Sequence, residues 1–482
     1  KRRIDRWLRR EQRDHRAGGI ASRRDLGLSF IHSARMGRAY GKCRIDIQAE
    51  RLLIAVDSAV TLEHRNEGPR VQTNDRVTRR NLLLAAPSVG FTTALAGCAP
   101  GFDDRWGEKQ GFPTGWGPAG QQPRWEGYTQ YRVGNYSGGF ESMFKHNVLR
   151  AGTEVSPLVE TPKPPISPSP SSISAYLDRW PVTSLLIARD GRISAEHYRF
   201  QRTANMRMTS WSMAKSVTSL LFGIALNEGL IHSVDDTPDI YVPQLRATLL
   251  GSIKFRHLLN MSSGAAVVHE RDWYRIDVPA LLGPMTARTI GTDVDGVVRT
   301  WTDRQEEPGR RFNYTELCPL TIGMALRAVS GMSLAAYAEK KLWTPMGAEA
   351  NATWLIDERG KEYNCVGFAA RTRDWARLAQ LVAQKGEMNG RQVVPASWIE
   401  NCATHGPEDQ QVKHGSAQAN WGYKNFFWHP RPNGMWLMMR GHHGQTVLID
   451  RSSRTVLVQT AVSHDGPWLP DLFSIFQAAI AA

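Results

Sequence analysis

Two stretches of the sequence place a lysine three residues after a serine: Ser142/Lys145 in "ESMFK" and Ser212/Lys215 in "SWSMAKSVTSLLFGIALNEG". A serine hydroxyl becomes a useful nucleophile only when a neighbouring base takes its proton. A lysine amine can be that base once it is neutral, and packing against apolar neighbours lowers its pKa, by up to ~3–5 units at full burial. Three residues apart on a helix, the two side chains share one face. The pattern alone does not choose between the pairs, because two common residues recur at this interval by chance. Their surroundings do. After Ser212, the residues Val217, Leu220, Leu221 and Ile224 recur at helical spacing, and Gly229 closes the run. The start of such a helix turns free backbone N–H groups toward the serine, where they suit a developing oxyanion. Ser142/Lys145 stands in Gly-rich sequence ahead of a proline spacer, with no apolar-periodic helix behind it. Ser212 and Lys215 are the candidate pair.

Other chemistries are served less well. No serine has the flanking glycines of a Gly-x-Ser-x-Gly elbow. His442 and His443 are adjacent, so on a strand they point to opposite faces. No His-x-His or His-Glu-x-x-His accompanies them, and neither a metal nor a cofactor is expected. Of the five cysteines, Cys43 lies far upstream and Cys98 has a role discussed below. Cys318, Cys365 and Cys402 form an odd set without a Cys-x-x-Cys pair, which implies buried free thiols rather than a disulfide framework or zinc site.

The elements that must carry Ser212 follow from periodicity. "TSLLIARDGRISAEHYRF" reads as a hairpin with Asp190-Gly191 at its turn. A helical body extends from the Ser212 helix to about residue 400. It includes "IKFRHLLNMSSG", "LCPLTIGMALRAVSG" and "TRDWARLAQLVAQKG", each an amphipathic helix closed by glycine. "MWLMMRGHHGQTVLIDRSSRTVLVQTAV" reads as strand, turn, strand, and 470–481 as a closing helix. Strands at both ends with helices between predict one sheet built from distant segments, an α+β fold.

Upstream of this body the sequence reads as targeting. Of the 482 residues, 60 are Lys+Arg and 46 Asp+Glu, a net charge of +14, but residues 1–80 alone carry 20 against 10. The main body is nearly neutral and has no basic stripe, which argues against a nucleic-acid partner. "VTRRNLLLAAPSVGFTTALAGC" has paired arginines, a short uncharged apolar run and small residues before Cys98. That is the layout of a signal peptide, with a run too short to span a bilayer comfortably. Four segments are expected. Residues 1–76 read as upstream translation or an unstructured extension, and 77–97 as the signal peptide. Residues 98–172 read as a tether and Pro-rich lead-in, and 173–482 as the hydrolase domain.

With these pieces in order, "SWSMAKSVTS" resembles the nucleophile motif of the serine β-lactamase and penicillin-binding-protein superfamily. Within it the chain is similar to class C β-lactamase-related esterases and especially to 6-aminohexanoate-dimer (nylon-oligomer) hydrolases. The likeness runs from about Ser184 to Val462, through "IKFRHLLNMSSG", "PGRRFNYTELCPLTIG", "GFAARTRDWARLAQL" and "GHHGQTVLID". It implies a β-lactamase-like α+β fold. By that match Ser212 is the nucleophile, Lys215 its paired base, and Tyr314 the tyrosine that passes the proton to the leaving group. His442, His443 and Gly444 take the place of Lys-Thr-Gly beside the site, and the N–H groups of Ser212 and Gln445 form the oxyanion hole. Tyr274 matches, at loose spacing, a tyrosine that closes over substrate. "LAGC" resembles a lipobox and the Arg79-Arg80 start a twin-arginine signal, which implies an exported lipoprotein anchored through Cys98, in the periplasm or on the outer cell surface.

Two residues depart from the pattern. Glu316 stands where β-lactamases have an asparagine that binds the substrate amide, and an ionised Glu has no donor. His442 replaces a lysine that attracts a β-lactam carboxylate, and an unperturbed His, pKa ~6.5, offers that charge only in part. The expected activity is acyl-enzyme hydrolysis of small amides or esters. The alternatives are a D-alanyl-D-alanine peptidase or weak β-lactamase, and a catalytically silent lipoprotein that binds peptidoglycan-like ligands.

Overall fold

The computed structural model describes residues 144–160, 170–200, 202–268, 293–404, 421–431, 434–461 and 468–482. Cys98, Ser142, Tyr274, the signal segment and most of the proline spacer lie outside the described residues.

The predicted hairpin forms from β3 (Val182–Arg189) and β4 (Arg192–Tyr198). Its turn takes Asp190 and Gly191 through φ 47° and 73°. Positive φ at both central residues matches the right-handed twist of the flanking strands, and Asp-Gly tolerates it best. The three C-terminal strands are β12 (Trp436–Arg440), β13 (Thr446–Asp450) and β14 (Thr455–Ala461). The sequence reading, which put His442 and His443 on a strand, merges the first two into one. Together with β2 (Val159–Glu160), β10 (Gly422–Lys424) and β11 (Phe427–His429) they complete an eight-stranded sheet. Its order is β10-β11-β12-β13-β14-β3-β4-β2. The junction between the two chain ends is the antiparallel pair β14–β3, with Val458 opposite Leu186.

Alternation along these strands builds a core on each face. On one side Leu186, Val447, Ile449, Val456 and Val458 join the larger apolar cluster, which surrounds α2 (Met213–Asn227) and α3 (Leu317–Ser330). On the other, Leu185, Ile187, Leu448 and Leu457 pack with α1 (Pro170–Arg179) and α5 (Leu469–Ala481). Strands buried on both faces read as near-continuous apolar runs, which is why "TVLID" and "TVLVQTA" lack a polar face. Both α3 and α4 (Thr372–Ala383) end as predicted, near glycines in left-handed conformation, Gly331 at φ 66° and Gly386 at φ 83°. The "IKFRHLLNMSSG" helix is shorter than predicted, only Phe255–Leu259.

A second sheet has the order β1-β6-β7-β5, from β1 (His146–Leu149), β6 (Ala352–Leu355), β7 (Phe368–Arg371) and β5 (Arg207–Thr209). Its edge strand β1 and the edge strand β2 of the large sheet both come from the stretch read as lead-in. A short hairpin, β8 (Glu387–Met388) with β9 (Arg391–Gln392), completes the strands. Among the described residues no single helix is long and apolar enough to cross a membrane.

Candidate active site

Strand β5 runs into the candidate nucleophile through two residues. The Ser210 N–H donates to the Phe368 carbonyl at 2.8 Å and its hydroxyl to the Val366 carbonyl at 2.9 Å, which ties the turn to the small sheet. Trp211 then adopts φ 48°, a conformation that a bulky side chain rarely takes. Such outliers collect at functional sites, where the surrounding fold holds them in place. Ser212 follows as the N-cap of α2, half-buried.

Lys215 lies one turn on, with a relative exposure of 1%. Its Nζ donates to Ser212 Oγ at 2.9 Å, to Glu316 Oε1 at 3.2 Å and to the Cys365 carbonyl at 3.1 Å. Three acceptors match the three N–H bonds of an ammonium. Burial works to lower the Lys215 pKa, but the charges of Tyr314 and Glu316 outweigh it and hold the group above the ordinary amine range. The sequence reading expected burial to leave a neutral amine. The correction comes from a buried carboxylate that α3 brings from 101 residues away.

Glu316 is the N-cap of α3, where a negative charge also suits the helix dipole. Its buried carboxylate pairs with Lys215 and does not stand as an isolated anion toward substrate. Tyr314, two residues earlier, puts its ring 4.8 Å from Lys215 Nζ, close enough for Lys215 and Ser212 to act on its hydroxyl. Burial raises the Tyr314 pKa; Lys215 opposes the rise and Glu316 adds to it. Ser212, Lys215 and Tyr314 therefore lie together at the start of α2.

Behind Tyr314 stands an aromatic wall that sequence reading missed. Trp428 stacks on Tyr314 at 5.7 Å, and Phe312 and Tyr423 close around Trp428 at 5.7 and 4.8 Å. Arg440, at the end of β12, lies 5.6 Å over Trp421 with its charge felt at Tyr314. These residues are scattered in sequence, and no spacing links them.

Packed against Trp211 is the turn between β12 and β13. His442–Gly444 forms a 3-10 turn, not a strand, because His443 and Gly444 take φ of 57° and 89°. The two imidazoles consequently do not point to opposite faces. Their centroids lie 4.0 Å apart, and both pack edge-on against Trp211, at 5.3 and 5.5 Å. His442 is exposed and His443 buried. Among the described residues no cluster of His, Cys, Asp or Glu could hold a metal ion. The Gln445 side chain turns inward and donates to the His442, His443 and Ala461 carbonyls at 3.0, 3.2 and 2.7 Å. Gln459 adds a bond to the Gly444 carbonyl at 3.0 Å. The turn is thus pinned from behind, while the Gln445 N–H makes only a long contact of 3.5 Å to His442. Gly441 brings the turn against the nucleophile: a Cβ there would lie 2.1 Å from the Ser210 carbonyl oxygen.

Residues 172–472 match the Beta-lactamase family model. The chain belongs to the beta-lactamase family. A curated relative, the 6-aminohexanoate-dimer hydrolase of Paenarthrobacter ureafaciens, is 22% identical over 285 residues, covering 57% of this chain and 71% of that protein. Among solved structures, a Bacillus anthracis protein described as a 6-aminohexanoate-dimer hydrolase superposes with a TM-score of 0.62 at 20% identity. That match covers 73% of this chain and 94% of the other. EstCE1, a hydrolase with promiscuous acyltransferase activity, gives a TM-score of 0.50 at 16% identity over 64% of this chain and 97% of its own. This beta-lactamase-family chain is a serine hydrolase with the α+β fold of its relatives.

Proposed function

We propose that the protein hydrolyses small amides or esters through an acyl-enzyme on Ser212. One observation carries the reading: Lys215 Nζ donates to Ser212 Oγ at 2.9 Å inside a buried polar corner at the start of α2. Ser212 Oγ attacks the substrate carbonyl carbon as its proton passes to Lys215 or Tyr314. Lys215 Nζ contacts the oxygen directly and Tyr314 stands beside Lys215, and the two titrate as a coupled pair. The backbone N–H groups of Ser212 and Gln445 receive the oxyanion, with the α2 N-terminus adding its dipole. Tyr314 delivers the proton to the leaving nitrogen or oxygen, and water then repeats the sequence on the acyl group. The role of the Ser212 and Gln445 N–H groups rests on the family match together with the pinned 442–445 turn.

The aromatic wall of Phe312, Tyr423 and Trp428 favours an apolar chain beside the leaving-group tyrosine, in keeping with linear amides or short esters. His442 stays in the place of the family's lysine. Glu316 offers no amide donor, so β-lactams are expected to be poor substrates. Exposure of the purified protein to a fluorophosphonate, followed by mass spectrometry, should place the adduct on Ser212. A panel of p-nitrophenyl esters, linear 6-aminohexanoyl amides and nitrocefin should give the highest kcat/KM on the first two. Efficient nitrocefin turnover at pH 8 would defeat the substrate assignment, and an unlabelled Ser212 the mechanism.

The same proposal extends to the cell. The Arg79-Arg80 and Cys98 signals support export and lipid anchoring, so the product should partition with membranes and begin at Cys98. Soluble or uncleaved protein from a Cys98→Ser strain is the expected contrast. Mature protein that retains residues 1–76 would overturn this part.

A further inference from the structure

We infer that Glu316 is a positioning residue that sets the working pH of Ser212, by holding Lys215 in its charged form across a 3.2 Å buried ion pair. This rests on the acyl-enzyme reading above. Before Ser212 Oγ attacks, its proton needs an empty acceptor, either a Lys215 amine or a Tyr314 phenolate. Each must first lose its own proton to solvent. A carboxylate beside them stabilises the protonated form of both, so the loss is deferred to higher pH. The direction is the same whichever of the two acts as base.

Lys215 is the cation that pairs with this carboxylate. From α2 come Lys215 and Ser212, and from its own segment Tyr314 and Cys318. Cys365, in the chain before β7, brings both its carbonyl and its side chain to Lys215, and Tyr423 faces Glu316 from β10. Burial pushes the Cys318 thiol up to about 12 and the Tyr423 hydroxyl well above its ordinary value, so both stay neutral through the working range. Arg440 acts on the cluster through Tyr314. An asparagine or glutamine at 316 keeps a polar contact to Lys215 but removes the charge. Burial of Lys215 then acts with less opposition, and the amine appears at lower pH.

The experiment follows the second-order rate of fluorophosphonate labelling of Ser212 from pH 5.5 to 10, alongside kcat/KM for a p-nitrophenyl ester corrected for background hydrolysis. Wild type, Glu316→Gln, Glu316→Asn and Glu316→Asp are compared. The wild-type rate should climb along a limb centred above about pH 8. In the Gln and Asn variants that limb should move down by about one to three pH units, as expected for removal of a unit charge a few ångströms away. Glu316→Asp should keep the limb near the wild-type position. A limb that stays put or moves up in a folded Gln or Asn variant overturns the inference and leaves the acyl-enzyme reading intact. Should the variants fail to fold, a wild-type limb at or below pH 7 overturns it equally. A wild-type Ser212 that never labels defeats both.

Discussion

Lys145 and Lys215 each follow a serine by three residues, and the fold treats them in opposite ways. Lys145 is exposed just ahead of the edge strand β1, where its carbonyl accepts from the Ile356 N–H at 3.1 Å. Lys215 is sealed between α2 and α3, with every N–H bond of its ammonium directed at an acceptor. The motif is shared; the dry corner is not. What Ser212 gains from the fold is the second helix, which delivers Glu316 and Tyr314 to Lys215, together with the turn that packs on Trp211.

The sharpest way to break that contrast is Ser212→Ala. It should lower kcat by on the order of 10⁴–10⁶ while far-UV circular dichroism and urea midpoint stay near wild type. Normal turnover in this variant would show that the chemistry lies elsewhere. Next in size is Lys215→Met, which takes the Lys215 ammonium away from the buried Glu316 carboxylate. Loss of one partner from a buried pair costs about 3–5 kcal/mol, so the urea midpoint should fall steeply. Adding Glu316→Gln should restore most of the stability and none of the activity. If the double variant is as unstable as the single, the ion pair is not what the corner depends on.

Gly441→Ala separates motif from surroundings, since Ser212, Lys215 and Tyr314 all remain. The new methyl would collide with the Ser210 carbonyl and push the 442–445 turn away from the nucleophile. A displacement on that scale should lower kcat by roughly 10²-fold. An unchanged kcat would remove the turn from the oxyanion hole. The smallest effect belongs to Lys145→Ala, expected within ±0.5 kcal/mol of wild-type stability and at full activity, as for most exposed substitutions.

Much of this arrangement was legible in the sequence, because local signals and the fold agree. Asp190-Gly191 demanded a tight turn and received one; the apolar spacing after Ser212 demanded a helix and received one. The strands of both chain ends do share a sheet. What stayed hidden depends on contacts between distant segments. Glu316 was legible as the departure two residues after Tyr314, but only the packing of α3 on α2 makes it the partner of Lys215. The His442–Gly444 stretch read as strand because the rules of alternation assume extended backbone, and His443 abandons it. Trp211, Trp428 and Arg440 carry no pattern at all. Tyr274 and Cys98 keep the standing of expectations, since they fall outside the described residues.

The pairing of β3 with β14 has a consequence for how the molecule is made. Thr183 and Thr460 share a 2.8 Å hydroxyl contact across 277 residues of chain. During synthesis β3 emerges early, yet its neighbour arrives only with the last strand of the sheet. Until then β3 presents one open edge of unpaired backbone groups, a template for other chains. Pairings this distant in sequence also slow folding, because loop closure precedes any gain from the contact. A nascent chain halted before residue 455 should therefore be prone to aggregation rather than partly active, and cells that make this protein have reason to keep its early strands covered until translation ends.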